Sequence, residues 1–365
     1  MYLHKTSSPL SNMSVKSVFP SILEAKMVTA KVWKLAKRPE GMPKKEDFVC
    51  VEEELACEDG DVIIEAEFLS VDPYMRYMIK QIPFEAPVTG TQVAKVIESK
   101  NPDWPVGTYV VSPSGWRSHT RLTEKDFKAD NFFQKPMKLP EMGDLPKSLG
   151  LGILGMPGNT AYFGFLEICR PKAGDTVLVN AAAGAVGSAV IQIAKIKGCK
   201  VIAFSGSDEK VAWTKELGAD HAFNYKTANV GEELGQAAPE KINCFFENVG
   251  GQFTADALPH MAERGRMAIC GVISEYNDDN KDSGVVSMTS PLNPATILWK
   301  QLAVEGFIVT RWFDRWMEGI DQMKQWINEG KVKYKETVVK GFDKMPEAFI
   351  GLFHGENTGK AIVAV

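Results

Sequence analysis

Paired cysteines, clustered histidines and long apolar runs are all missing from this chain of 365 residues. The six cysteines, Cys50, Cys57, Cys169, Cys199, Cys244 and Cys270, lie far apart, and none forms a C-x-x-C pair. That spacing in so large a chain predicts free thiols in a reducing compartment. The five histidines are just as scattered. Without an H-E-x-x-H or a Cys/His cluster, no metal is expected. No apolar run approaches the ~20 residues of a membrane span, so no membrane partner is expected. A formal net charge of −4 gives no footing for nucleic acid. Arginine is absent from residues 1–26, where Ser and Lys are plentiful and Glu24 is the only acid. This stretch reads as a disordered leader, or an alternative start, rather than a transit peptide.

The remaining length calls for two domains. From residue 27 to 150, short strand patterns (29–35, 61–69, 92–98 and 108–112) alternate with Gly and Pro, the texture of a compact β barrel. From 151 to 328 the texture changes to alternating strands and helices. Strands are expected over 176–180, 200–204, 222–224, 242–247, 266–272 and 305–310. Helices are expected over 185–197, 208–217, 253–261 and 314–328. Near-continuous apolar strands separated by helices predict an α/β fold with a doubly wound parallel sheet. Residues 329–365 return to barrel texture and are expected to fold back onto the first domain, making it discontinuous.

Residues 180–188 read N-A-A-A-G-A-V-G-S, between a strand and a helix. That is the phosphate site of a dinucleotide-binding unit. Ala182, Gly184 and Gly187 hold the three glycine positions. Alanine serves the first if its backbone angles are ordinary. Gly184 lets the backbone approach a pyrophosphate, and Gly187 lets the helix pack close. Ala185 and Val186 lie between them, where the helix N-terminus offers free N–H groups. An NAD-binding chain usually carries an acid at the end of the second strand. Here that place reads Ser205-Gly206-Ser207, with Lys210 following to pair with a 2′-phosphate and Tyr225 to add a hydroxyl. Asp208 or Ser207 is read as the cap of the helix that follows. The expected cofactor is NADPH/NADP+.

Several further motifs occur in fixed order: S-V-D-P-Y-M-R (70–76), G-S-D-E-K-V-A, F-N-Y-K-T, E-N-V-G-G, I-C-G-V-I-S-E-Y-N and H-G-E-N-T-G-K-A-I-V (354–363). With the loop, they make the chain from about residue 27 to its end resemble the zinc-independent medium-chain dehydrogenases/reductases, in the branch of the prostaglandin and plant double-bond reductases. The resemblance implies a Rossmann domain and a GroES-like β-barrel catalytic domain. It implies NADPH-dependent reduction of the C=C bond of α,β-unsaturated ketones and aldehydes, 15-oxo-prostaglandins included, by a cytosolic homodimer. By motif, cofactor contacts fall on Gly184–Gly187, Lys210, Tyr225, Asn248, Cys270, Gly271, Val272, Ile273, Ser274, Tyr276, the 307–309 strand (Phe307, Ile308, Val309) and Asn357. Zinc-binding relatives carry cysteine and histidine around the stretch that here reads Val71-Asp72-Pro73. Two departures stand out. Thr310 precedes Arg311-Trp312 where the family often has Tyr. The loop after Tyr276, which borders the substrate pocket in the family, lacks the proline richness of the prostaglandin enzymes.

Hydride delivery to the β carbon builds negative charge on the carbonyl oxygen, which without a metal needs hydrogen-bond donors. Tyr276 is the candidate catalytic donor; its other reading is a residue that packs on the cofactor. Tyr74, Arg76 and Trp312 are the candidate pocket residues, with Arg76 alternatively holding the domain interface. Cys270 is read as packing, because no base beside it would activate the thiol. Two other functions rank lower: an NADP-dependent hydroxy-eicosanoid dehydrogenase, and a non-catalytic NADPH-binding protein of quinone-reductase type.

Overall fold

The computed structural model describes Met1 and residues 27–130, 135–278 and 292–365. The leader and most of the variant loop after Tyr276 lie outside the described residues. The chain begins with an antiparallel pair, β1 (Met27–Leu35) and β2 (Phe48–Ala56). There follow β3 (Val62–Val71), a short helix α1 (Met75–Ile79), β4 (Gln92–Ser99), β5 (Tyr109–Ser112), β6 (His119–Leu122), α2 (Glu124–Phe127) and β7 (Met137–Lys138). β3 is the hub. It pairs antiparallel with β4, β6 and, from the far end of the chain, β15 (Lys360–Ala364). β14 (Glu336–Lys340) lies parallel to β15, and α10 (Met345–His354) joins them. Trp33 N donates to Trp116 O at 3.0 Å and Ser118 N to Lys31 O at 2.9 Å, which ties the β1–β2 pair to this sheet. The enclosed core holds Trp116, Phe349, Met75 and Leu69.

The second sheet is parallel throughout. Its strands are β8 (Thr176–Val179), β9 (Lys200–Ser205), β10 (His221–Asn224), β11 (Ile242–Glu247), β12 (Met261–Ile269) and β13 (Ala303–Gly306), in the order β10-β9-β8-β11-β12-β13. The order reverses between β8 and β11, the point beyond whose carboxyl ends such sheets bind their ligands. One face is covered by α3 (Met156–Phe163), α4 (Ala185–Ile196), α5 (Asp208–Glu216) and α9 (Trp316–Asn328); the other by α6 (Val230–Ala237), α7 (Gly251–Ala257) and α8 (Pro294–Lys300). Val177, Leu178 and Val179 are fully buried, as a central strand of such a sheet requires.

Three expected elements differ. α7 starts at Gly251 rather than 253 and ends at Ala257, because β12 already begins at Met261. The strand expected over 266–272 is therefore Met261–Ile269, and 270–276 is free to form a loop. The sixth strand ends at Gly306, so Phe307, Ile308 and Val309 are not a strand. Packing explains this: the Phe307 ring sits on Gly164, where a Cβ would come within 2.2 Å of it, and the chain turns inward to keep it there.

Candidate functional site

The phosphate loop has the expected shape through an unexpected residue. Ala181 takes the left-handed turn at φ 44°, which leaves Ala182 in ordinary backbone. At Gly187 a Cβ would stand 2.6 Å from Ala181 O and 2.8 Å from Ala182 Cα, so only glycine lets α4 pack on the turn. A Cβ on Gly184 would meet only Ala181 O, at 3.1 Å; the space above it is open. Gly184 caps α4, and the first N–H groups of that twelve-residue helix face the opening. The far end of the chain closes the loop from the side: Gly359 N donates to Ala183 O at 2.7 Å, and Asn357 Nδ2 to Gly359 O at 2.9 Å.

At the end of β9, Ser207 rather than Asp208 caps α5, accepting from Lys210 N at 3.3 Å. The Asp208 carboxylate accepts from Asn224 Nδ2 at 2.9 Å, which occupies it away from any ribose. Lys210 Nζ reaches Gly355 O at 2.7 Å, and partial burial lowers its pKa. Tyr225 lies across Gly206, whose Cβ would come within 3.2 Å of its ring.

At the switch point, Glu247 is 1% exposed and forms the centre of a network. Its Oε1 accepts from Asn180 Nδ2 at 2.7 Å, from Gly250 N at 2.8 Å and from the Val249 amide, while Oε2 accepts from the Thr254 hydroxyl. Asn180 in turn accepts from Asn248 N at 2.7 Å through Oδ1, and from Asn248 Nδ2 at 2.9 Å through its carbonyl. The turn needs Gly250 and Gly251 at φ 77° and 58°. The 270–276 loop is laced to it: Cys270 N to Glu247 O at 2.8 Å, Ile273 N to Asn248 O at 3.2 Å, Ser274 N to Val249 O at 3.0 Å. Burial, then the Glu247 charge, push the Cys270 thiol up to about 12, so it stays protonated and inert. The Tyr276 hydroxyl folds back over Gly271, 3.3 Å from where a Cβ would stand. Burial raises its pKa and a hydrogen bond from the Val272 amide pulls the other way; the net shift is upward, so the phenol keeps its proton.

The barrel meets this loop through α1. Arg76 is fully buried; its Nε donates to Asn277 Oδ1 at 3.0 Å and its Nη2 to Gly41 O at 2.9 Å. Tyr74 packs in the same cluster as Ile273; burial and then Asp72 raise its phenol. Tyr74 and Arg76 therefore join the Tyr276 loop. Trp312 does not: it is 7% exposed and stacks on Phe163 at 5.5 Å and against Phe307 at 5.6 Å in the cofactor-domain core.

Sequence reasoning missed Asp72 and Lys360. Lys360 Nζ contacts Asp72 Oδ1 at 2.9 Å and Val71 O at 2.7 Å, while Ser70 Oγ holds the other carboxylate oxygen. Asp72 borders a cavity of about 70 Å³ between the two domains, lined also by Thr91, Leu154, Met156 and Trp316. The Asp72 carboxylate is committed to an ammonium and does not fit a metal. Among the described residues no group of three or more His, Cys, Asp or Glu could hold one. Among them, too, no helix is long and apolar enough to cross a membrane. Glu247 and Asn180 were missed as well, although a charged residue closing the apolar strand I-N-C-F-F-E was a readable signal.

The chain that carries this loop and this phenol is similar to known chains over most of its length. Residues 185–325 match the family model for zinc-binding dehydrogenases, and 31–129 the model for the N-terminal domain of oxidoreductases. Prostaglandin reductase 1 of Bos taurus is 49% identical over 345 residues, covering 92% of this chain and 99% of its own. The chain belongs to the medium-chain dehydrogenase/reductase family, beside the prostaglandin reductases. The NADP(+)-dependent 2-alkenal reductase of Nicotiana tabacum is 38% identical, covering 89% of this chain and 94% of its own. The solved structure of CurA in complex with NADPH from Vibrio vulnificus superposes with a TM-score of 0.80 at 33% identity, covering 92% of this chain and 99% of that one.

Proposed function

We propose that this chain is an NADPH-dependent reductase of the C=C bond in α,β-unsaturated aldehydes and ketones. The single observation that carries the reading is near-full-length similarity to prostaglandin reductase 1, joined to a switch point that keeps the family's cofactor motifs. Bound NADPH supplies the hydride that reaches the β carbon. The chain's own residues bind, orient and donate. The α4 N-terminus holds the pyrophosphate against Gly184, and Lys210 and Tyr225 take the 2′-phosphate. Asn248 and the 270–276 loop border the nicotinamide end. The Tyr276 hydroxyl, protonated at neutral pH, donates to the carbonyl oxygen as charge builds there, or passes its proton to the α carbon. Tyr74 and Arg76 brace that loop from the barrel side, and the apolar cavity beside Asp72 accepts the substrate's alkyl part.

The partner in solution is a second copy, in the cytoplasm. β13 is an edge strand, and Leu298 and Trp299 beside it are 70% and 81% exposed. An edge strand left unpaired among the described residues, next to large apolar side chains, favours pairing with its own equivalent. Light scattering should give a dimer, and Trp299→Lys a monomer.

The function is tested by NADPH consumption with a medium-chain 2-alkenal, a simple enone, a quinone and a 15-oxo-prostaglandin. Turnover of the enal and enone supports the reading. NADPH binding without turnover of any of them contradicts it.

A further inference from the structure

We propose that Ser205 and Lys226 complete the pocket for the cofactor's 2′-phosphate, making them selectivity residues beyond Lys210 and Tyr225. The inference rests on the NADPH reading above. Ser205 closes β9 at the place where an acid would otherwise take a ribose hydroxyl. It is 3% exposed, and its Oγ has no hydrogen-bond partner. A buried hydroxyl left unpaired is costly, and an arriving phosphate oxygen is an acceptor of the right kind. An aspartate there would repel the same phosphate.

Lys226 approaches from the other side. A Cβ on Gly206 would stand 3.3 Å from the Tyr225 hydroxyl and 3.5 Å from Lys226 Cε, so both side chains lie across this one glycine. The backbone fixes them there: Tyr225 N donates to Ser205 O at 3.1 Å, and Lys226 N to Asn224 Oδ1 at 3.1 Å. The same Asn224 holds the Asp208 carboxylate, an acid that would otherwise compete for a ribose. Lys226 forms no ion pair among the described residues. After burial, its charge is the next cause lowering the Lys210 ammonium, so the two cations feel each other across the gap. An anion seated between them removes that repulsion.

The test is calorimetric binding of two probes, adenosine 2′,5′-bisphosphate and 5′-AMP, with no turnover involved. Wild type should prefer the bisphosphate by at least about tenfold. Lys226→Ala should weaken the bisphosphate by about three- to tenfold and leave 5′-AMP unchanged, with Lys226→Arg restoring it. Ser205→Ala should weaken the bisphosphate by about threefold. Ser205→Asp, checked for folding by its melting curve, should abolish the preference. Bisphosphate affinity unchanged in Lys226→Ala and Ser205→Ala overturns the proposal while leaving the NADPH reading intact. A wild type that does not distinguish the two probes overturns that reading as well.

Discussion

Two of the buried carboxylates, Asp72 in the barrel domain and Glu247 in the cofactor domain, are kept in opposite ways. Asp72, 5% exposed, is held by the Lys360 ammonium and one hydroxyl. Glu247 has no cation against it among the described residues: two backbone amides, the Asn180 amide and the Thr254 hydroxyl satisfy it. Asp72 is therefore needed as a charge, and Glu247 as a set of acceptors. The placement suits the work. Lys360 follows Gly359, which is bonded to Ala183 O in the 180–188 loop, so the ion pair pins that loop's outer wall to the end of β3. Glu247 shapes the 248–251 turn to which the 270–276 loop is bonded.

The contrast breaks most sharply on neutral isosteres. Asp72→Asn strands the Lys360 ammonium in the interior and should cost about 3–5 kcal/mol in denaturant melts. Asp72→Asn with Lys360→Met should recover most of it; equal losses would mean that the pair is not what holds the site. On the Glu247 side, the chemistry is the larger effect. Tyr276→Phe should lower kcat by about ten- to a thousandfold with NADPH affinity unchanged, and an unaltered kcat makes the hydroxyl a packing group. Gly184→Ala should weaken NADPH binding by about tenfold and lower the melting curve less than Gly187→Ala does, because its Cβ would meet only Ala181 O, at 3.1 Å. Gly187→Ala should lower the melting curve of the free protein, because its Cβ meets backbone. The smallest effect is Glu247→Gln, about 1–2 kcal/mol: Oε1 keeps its three donors, and the Thr254 hydroxyl can turn to accept from the new amide. A loss as large as that of Asp72→Asn would show that Glu247, too, acts as a charge.

The parallel sheet was legible because its strands are continuous apolar runs, T-V-L-V and I-N-C-F-F-E among them, and the phosphate loop because strand and helix flank it. Less was visible where burial is one-sided. β2 carries Glu52, Glu53 and Glu54 and reads as a charged run, although it pairs with β1 along its whole length. β12 hides its first half in Met-Ala-Glu-Arg-Gly. Nothing local separates Trp312 in a core from Trp312 in a pocket; that depends on Phe163 and Phe307 closing around it. Asp72 and Lys360 are 288 residues apart, so their pairing is a product of β15 docking on β3. Ala181 taking the left-handed turn was hidden because alanine gives no sign of it.

The central claim is where the hydride goes. NADPH carrying deuterium at the transferred position of its nicotinamide should be run against a medium-chain 2-alkenal and the product read by NMR. The account predicts a saturated aldehyde with deuterium on the carbon that was β. An allylic alcohol with deuterium on the former carbonyl carbon would contradict it.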